Sequence, residues 1–202
     1  MIAIVDYEIG NLYSISKALA RLGEEVVITN QAQVIREAEA VVLPGVGSFG
    51  KAMENLEKKE IREAIRENQE DGKPLLGICL GLQLLFDKSQ EAPRKKGLSL
   101  LPGEVRKLPP TNKIPHIGWN RVYFKKNSPL TQDIPQGRFF YFAHSFYALP
   151  EESSIVIGIC NYNVVIPALV NQDNIWGLQF HPEKSSVWGM KILENWVRSW
   201  KK

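Results

Sequence analysis

The 202-residue sequence holds only two cysteines, Cys79 and Cys160, too few for a disulfide framework. Such scarcity fits a reducing cytoplasm. No apolar stretch is long enough to span a bilayer. The opening "MIAIVDYEIG" has too short an apolar run for a secretory signal and no basic segment ahead of it. The net charge of +3 is too small to argue for nucleic-acid binding. The one dense basic cluster, Arg94-Lys95-Lys96 between Pro93 and Gly97, reads as a solvated loop. There is no H-E-x-x-H and no closely spaced Cys/His set, so nothing calls for a metal or cofactor. Internal repeats and low-complexity segments are also missing.

What is present is an ordinary globular composition, 44% hydrophobic and 23% charged, suited to one domain over 1–202 with a sizeable core. The first half alternates. The apolar run at 2–6 reads as a buried strand, and those at 25–30, 40–44 and 74–78 as further strands. Helical patterns separate them. One starts at Asn11, with Leu12, Ile15, Leu19 and Leu22 on one face, and ends at Gly23. Another spans 61–72, and a third follows Cys79 through Leu84. This predicts an α/β fold with a mostly parallel central sheet covered by helices on both faces. In the second half strand-like runs crowd together at 103–108, 117–124, 138–147, 155–160, 164–170 and 175–180, which predicts an antiparallel portion. A closing helix from about Ser186 carries Leu193, Trp196, Val197 and Trp200 on one face.

Two glycine-rich stretches carry the chemistry. In "PGVGSFGKA" (44–52), Gly45, Gly47 and Gly50 match G-x-G-x-x-G, but no acidic residue stands at the end of the next strand to hold a ribose. Read as a P-loop, the stretch has Ala52 where a metal-binding Ser or Thr belongs. A third reading is an anion hole, with backbone N–H groups free to face a developing negative charge. That reading needs a nucleophile nearby. "GICLG" (77–81) has the form of a nucleophile elbow with Cys79 in the place of serine. A helix starting there favours thiolate, and the Leu80 N–H becomes an oxyanion donor. The competing reading of Cys79 is a small buried hydrophobe, and the elbow brings the two level.

A thiolate needs a base that returns a proton to the leaving group. His116 in "PHIGW" and His144 in "FAHSF" have no carboxylate close by and read as structural or binding histidines. His181 in "LQFHPEKSS" ends the last strand, with Glu183 two residues on and Pro182 stiffening the turn between them. The order Cys, His, Glu differs from that of the α/β-hydrolases, where the acid comes before the histidine.

"PGVGSFG", "GICLGLQLLF" and "FHPEKSS", in this order, resemble the class I (triad) glutamine amidotransferases. "GNL" (10–12), "PHIGWN" (115–120) and "YFAHSFY" (141–147) narrow the resemblance to the branch serving histidine biosynthesis. The resemblance implies glutamine hydrolysis through a glutamyl thioester, with Cys79 as nucleophile, His181 as base and Glu183 orienting it. It implies an oxyanion hole from Leu80 and the Val46-Gly47 peptide, and substrate contacts from Gly45, Gln83, Ser145 and Phe146. Ammonia would pass to a separate (β/α)8 cyclase subunit of imidazole glycerol phosphate synthase, with Asn11, Trp119, Tyr141 and Lys184 near that interface. Valine at position 46, where other class members often carry glycine, makes rotation of the 46–47 peptide costly. Open alternatives are a subunit of another synthase, a non-catalytic interaction module of the same fold, and a stand-alone cysteine hydrolase. Cys160, with neither elbow nor base, is the ordinary buried cysteine.

Overall fold

The computed structural model describes residues 1–8, 10–58, 60–110 and 113–201. The four short apolar runs of the first half form strands β1 (Ile2–Val5), β2 (Val26–Thr29), β3 (Ala40–Leu43) and β4 (Leu75–Ile78). Helices α1 (Leu12–Arg21), α2 (Ala32–Glu37), α3 (Phe49–Lys58) and α4 (Ile61–Glu70) connect them. After β4 come α5 (Leu80–Leu84), β5 (Phe86–Ser89), β6 (Leu101–Lys107) and β7 (His116–Phe124). The chain continues through β8 (Arg138–His144), β9 (Phe146–Pro150), β10 (Val156–Asn161), β11 (Val165–Gln172) and β12 (Ile175–Leu178), and closes with α6 (Ser186–Trp200).

Nine strands make one sheet in the order β2-β1-β3-β4-β12-β11-β10-β7-β8. The β2-β1-β3-β4-β12 portion is parallel. From β12 through β11, β10 and β7 to β8 every pair is antiparallel. The antiparallel portion thus continues the same sheet, and three further strands, β5-β6-β9, form a small second one. Period-two alternation divides the core. Ile2, Ile4, Val42 and Ile78 face one side, packing with Ile15 and Leu19 of α1 and Leu193 and Trp196 of α6. Val5, Val41 and Leu43 face the other, packing with Met53, Leu56 and Ile65.

Three elements depart from the sequence reading. The short helix α2 is amphipathic over too few turns to stand out, and β5 follows directly on the Leu80–Leu84 helix. The run at 138–147 is two strands, because the chain changes sheets at Ser145: β8 pairs with β7 in the large sheet and β9 with β6 in the small one. No helix among the described residues is long and apolar enough to cross a membrane.

The parallel strands β3, β4 and β12 put the 44–48 loop, Cys79 and the 179–183 turn at their carboxyl ends, as open α/β sheets do. The closest approach lies beneath them. A Cβ on Gly81 would sit 1.6 Å from the Leu43 carbonyl oxygen, and one on Gly77 would sit 2.8 Å from the Leu82 nitrogen. Only glycine lets α5 lie this close to β3 and β4. Gly81→Ala is therefore expected to lower unfolding stability by at least about 3 kcal/mol, since backbone must move to admit the methyl group. Urea denaturation followed by circular dichroism measures it, and an unchanged midpoint would contradict the packing.

Candidate active site

Cys79 stands between β4 and α5 with φ 54° and ψ −106°, a conformation that non-glycine residues rarely adopt. Two backbone hydrogen bonds hold it, Cys79 N–H to the Leu178 carbonyl at 2.7 Å and Gln83 N–H to the Cys79 carbonyl at 3.2 Å. The first ties the elbow to β12, the strand that leads to His181. The nucleophile-elbow geometry expected from "GICLG" is thus present, although the helix behind it is only five residues long. The Cys79 Sγ lies 3.8 Å from the Ala143 carbonyl and 3.9 Å from Gln179 Nε2.

His181 and Glu183 meet at 3.0 Å between Nδ1 and Oε1, with only 4% and 6% of their side chains exposed. The turn that carries them is pinned to β8. The His181 amide donates to the Tyr141 carbonyl at 2.8 Å, and the Tyr141 amide donates to Ser185 Oγ at 3.0 Å. His181 Nε2 is buried with no well-formed hydrogen bond. Burial pulls the ring's pKa down, but Cys79 and Glu183 more than offset it, and the net is a rise to about 10. Three residues spread over 105 positions thus share one electrostatic site, with the ring between sulfur and carboxylate.

A cavity of about 230 Å³ opens beside Cys79. Gln83, His144, Ser145 and Phe146 line it together with Val46, Gly47 and Leu80 of the expected oxyanion hole. Its size suits a small metabolite. Gln83 Nε2 donates to the Phe146 carbonyl at 2.8 Å. In this conformation the oxyanion pair is not assembled, because the Leu80 amide donates to the Gly45 carbonyl at 3.3 Å. Gly47 has φ +116°, and Val46 is exposed at 39%. Gly45 lies against Tyr7, whose hydroxyl donates to the Pro44 carbonyl, so the base of the loop is fixed.

Of the residues expected near a partner, Trp119 is 52% exposed and meets Tyr141 edge to face, with centroids 6.1 Å apart. Lys184 Nζ lies 5.7 Å from the Tyr141 ring centroid. Asn11 and Lys184 share a recess of only about 10 Å³ behind His181. Asn11 also caps α1, accepting from the Ser14 amide at 3.3 Å. Cys160 is 1% exposed and burial pushes its thiol up to about 12, so it has the character of a core residue. Among the described residues no group of three or more His, Cys, Asp or Glu is placed to hold a metal.

Sequence reading missed Gln179, fully buried beside the sulfur. The signal was adjacency: Gln179 directly follows β12 and stands two residues before His181. Glu91 was also missed. It accepts from the Phe49 amide at 2.7 Å at the start of α3 and borders the cleft.

The charge states of the three histidines should differ sharply. Burial lowers His116 to about 4, and burial together with the neighbouring His116 lowers His144 to about 3. Spectra of ¹⁵N-labelled histidine should show only His181 protonated at about pH 8, against an ordinary imidazole value near 6.5. Cys79→Ala should lower the His181 value. A single shared titration for all three rings would contradict the geometry. The sign of the stability effect follows. Unfolded His116 and His144 bind protons below about pH 6.5 and the folded rings do not, so stability falls as pH drops from there toward about 4.

The sequence profile of the family "Glutamine amidotransferase class-I" matches residues 3–200. The chain is 50% identical to "Imidazole glycerol phosphate synthase subunit HisH" of Moorella thermoacetica over 96% of this chain and 92% of that protein. It is also 50% identical to the protein of the same name from Aquifex aeolicus, over 96% and 95%. Among solved structures, "Crystal structure of glutamine amidotransferase" aligns with a TM-score of 0.78 at 18% identity, covering 98% of both chains. "Structure of PurLQS from Thermotoga maritima" aligns with a TM-score of 0.78 at 22% identity, over 99% and 98%. These two likenesses speak to the fold.

Proposed function

The chain belongs to the class I glutamine amidotransferase family, and from that premise we propose how its residues divide the work of the glutaminase subunit of imidazole glycerol phosphate synthase. The subunit hydrolyses glutamine to glutamate and ammonia for histidine biosynthesis, as a single domain over 1–202 and in the cytoplasm. One observation carries the assignment of roles: His181 sits between Cys79 and Glu183 in a buried cleft, with its pKa raised by both to about 10.

The Cys79 sulfur attacks the side-chain amide carbon of glutamine, and His181 holds the proton that the sulfur gives up. The amide oxygen becomes an oxyanion, received by the Leu80 N–H and the N–H of the 46–47 peptide once the loop has rotated. Collapse breaks the C–N bond as His181 passes its proton to the departing nitrogen. Ammonia leaves and a glutamyl thioester stays on Cys79. Water, giving a proton to His181, then attacks the thioester and releases glutamate. Glu183 fixes the ring so that Nε2 faces the sulfur. Gln83 and the Gly45, Ser145 and Phe146 backbone hold the substrate.

The ammonia passes to a (β/α)8 cyclase subunit that seats against Asn11, Trp119, Tyr141 and Lys184. The recess between Asn11 and Lys184 also touches His181 and Glu183 and, at about 10 Å³, has room for about one small molecule. A protein contact there prevents ammonia from being protonated in bulk water.

Glutamate release should be measured with the complete synthase and with the chain alone. Cys79→Ala should abolish turnover in both, and Glu183→Gln should lower kcat at least about a hundredfold. The chain alone should run about 30- to 1,000-fold slower than the complex, since the oxyanion donors are not assembled. Full activity of the isolated chain would contradict the loop's role. Activity surviving in Cys79→Ala would remove the assignment of the nucleophile.

A further inference from the structure

His116 and His144 are buried titratable groups that the glutaminase steps leave unused. His116 lies on β7 and His144 at the end of β8, 3% and 5% exposed. Their rings face each other with His116 Nδ1 3.1 Å from His144 Nε2. His144 Nδ1 lies 2.9 Å from the Phe146 carbonyl oxygen, and His116 Nε2 lies 3.3 Å from Asn120 Nδ2.

With both rings neutral, as burial makes them, these contacts leave one arrangement of hydrogens. A carbonyl oxygen only accepts, so His144 Nδ1 carries the proton and donates. In a neutral ring its Nε2 must then accept, and His116 Nδ1 donates to it. His116 Nε2 is left as an acceptor, filled by one of the two Asn120 amide hydrogens. The other amide hydrogen reaches the Asn161 carbonyl on β10 at 3.0 Å. Every ring nitrogen has a partner, so neither ring has a lone pair for Cys79 or for a metal. His116 is also clamped between two rings, stacked on Tyr162 at 3.9 Å and on Phe142 at 4.9 Å.

The far end of this chain is the Phe146 carbonyl, which also receives Gln83 Nε2–H at 2.8 Å. Gln83 reaches Gln179 at 3.5 Å, and Gln179 reaches the Cys79 sulfur at 3.9 Å. The near end is β7, whose outward residues Ile117 and Trp119 are 64% and 52% exposed. Polar contacts thus run unbroken from an exposed strand to the nucleophile, passing through the point where the chain changes sheets.

We propose that His116 and His144 are positioning residues for glutamine: as two neutral rings with fixed tautomers they hold the Phe146 carbonyl, and through it the Gln83 amide, in register with strand β7. This rests on the Cys79 cleft being the glutaminase site. Movement of β7 is passed to the end of the cleft that grips the substrate, not to the sulfur directly.

The test uses the complete synthase. His116→Phe keeps the stack on Phe142 and Tyr162 and removes both ring nitrogens. It should raise the KM for glutamine about tenfold, a loss of about 1.4 kcal/mol, and leave kcat within about twofold. An unchanged KM, or a fall in kcat alone, overturns the proposal. Alkylation separates this from the underlying reading. Iodoacetamide, which carries no amino-acid end, should modify Cys79 equally fast in both proteins. A diazoketone analogue of glutamine should modify the variant more slowly, and equal rates overturn the positioning role. Failure of the analogue to label Cys79 in the unaltered complex overturns the glutaminase reading itself. Should the variant not fold, ¹⁵N spectra of the unaltered complex decide: both rings should be Nδ1–H tautomers at about pH 7. An Nε2–H tautomer or an imidazolium at either site overturns the arrangement.

Discussion

The backbone at Cys79 is bent into a conformation that costs about 1–3 kcal/mol, and the rest of the site depends on that bend being held. Two hydrogen bonds and two glycines hold it. The amide of Cys79 is tied to the Leu178 carbonyl, and the five residues after it wind immediately into a helix. Gly77 and Gly81 let that helix lie against β3 and β4 at distances no side chain would allow. The same β12 that anchors the bend runs on to Gln179 and His181. One strand pairing therefore fixes both the nucleophile and its base, and the distance between them does not rely on a mobile loop.

Much of this was written in local sequence. The runs at 2–6, 40–44 and 74–78 are short, apolar and β-branched, and each became a strand within a residue or two of the expected bounds. The elbow could be read because its glycines and cysteine are adjacent in the chain. His181 and Glu183 could be read because two residues and a proline set their separation. Features joined only through space could not be read. The strand order that puts β12 between β4 and β11 has no local signature, nor has the change of sheets at Ser145. Gln179, hidden inside an apolar strand end, showed only through its spacing from His181.

His116 and His144 show the limit from another side. Their sequence neighbourhoods suggested structural or binding histidines, and the fold pairs them nitrogen to nitrogen across β7 and β8. A direct register, His116 opposite His144, brings them together. Burial keeps both rings neutral, and neutrality is what lets one donate to the other. Two charged rings at that separation would repel, so the apolar stack around His116 is part of the polar array and not merely its container.

The oxyanion loop is where stability and activity oppose each other. The Leu80 amide already has an acceptor in the Gly45 carbonyl, and giving it up costs about 1 kcal/mol, the net value of one backbone hydrogen bond. Turning the 46–47 peptide inward brings Val46 into a region sparsely populated for residues with a Cβ, about 1–3 kcal/mol more. Together, about 2–4 kcal/mol hold the hole shut, enough to leave it open in one molecule in about 30 to 1,000. Each oriented N–H group returns about 2.7–4 kcal/mol, but only when an oxyanion is there to receive it. On the proposed reading, a bound partner that prefers the rotated loop by about 2–4 kcal/mol would keep the hole open before the oxyanion forms. Tyr7, by pinning Pro44 from below, confines that rotation to the residues beyond it. With glycine at position 46 the strain term would vanish, leaving the Leu80–Gly45 hydrogen bond, about 1 kcal/mol, to hold the hole shut. On the proposed glutaminase reading, valine there adds its strain to the cost of opening the hole.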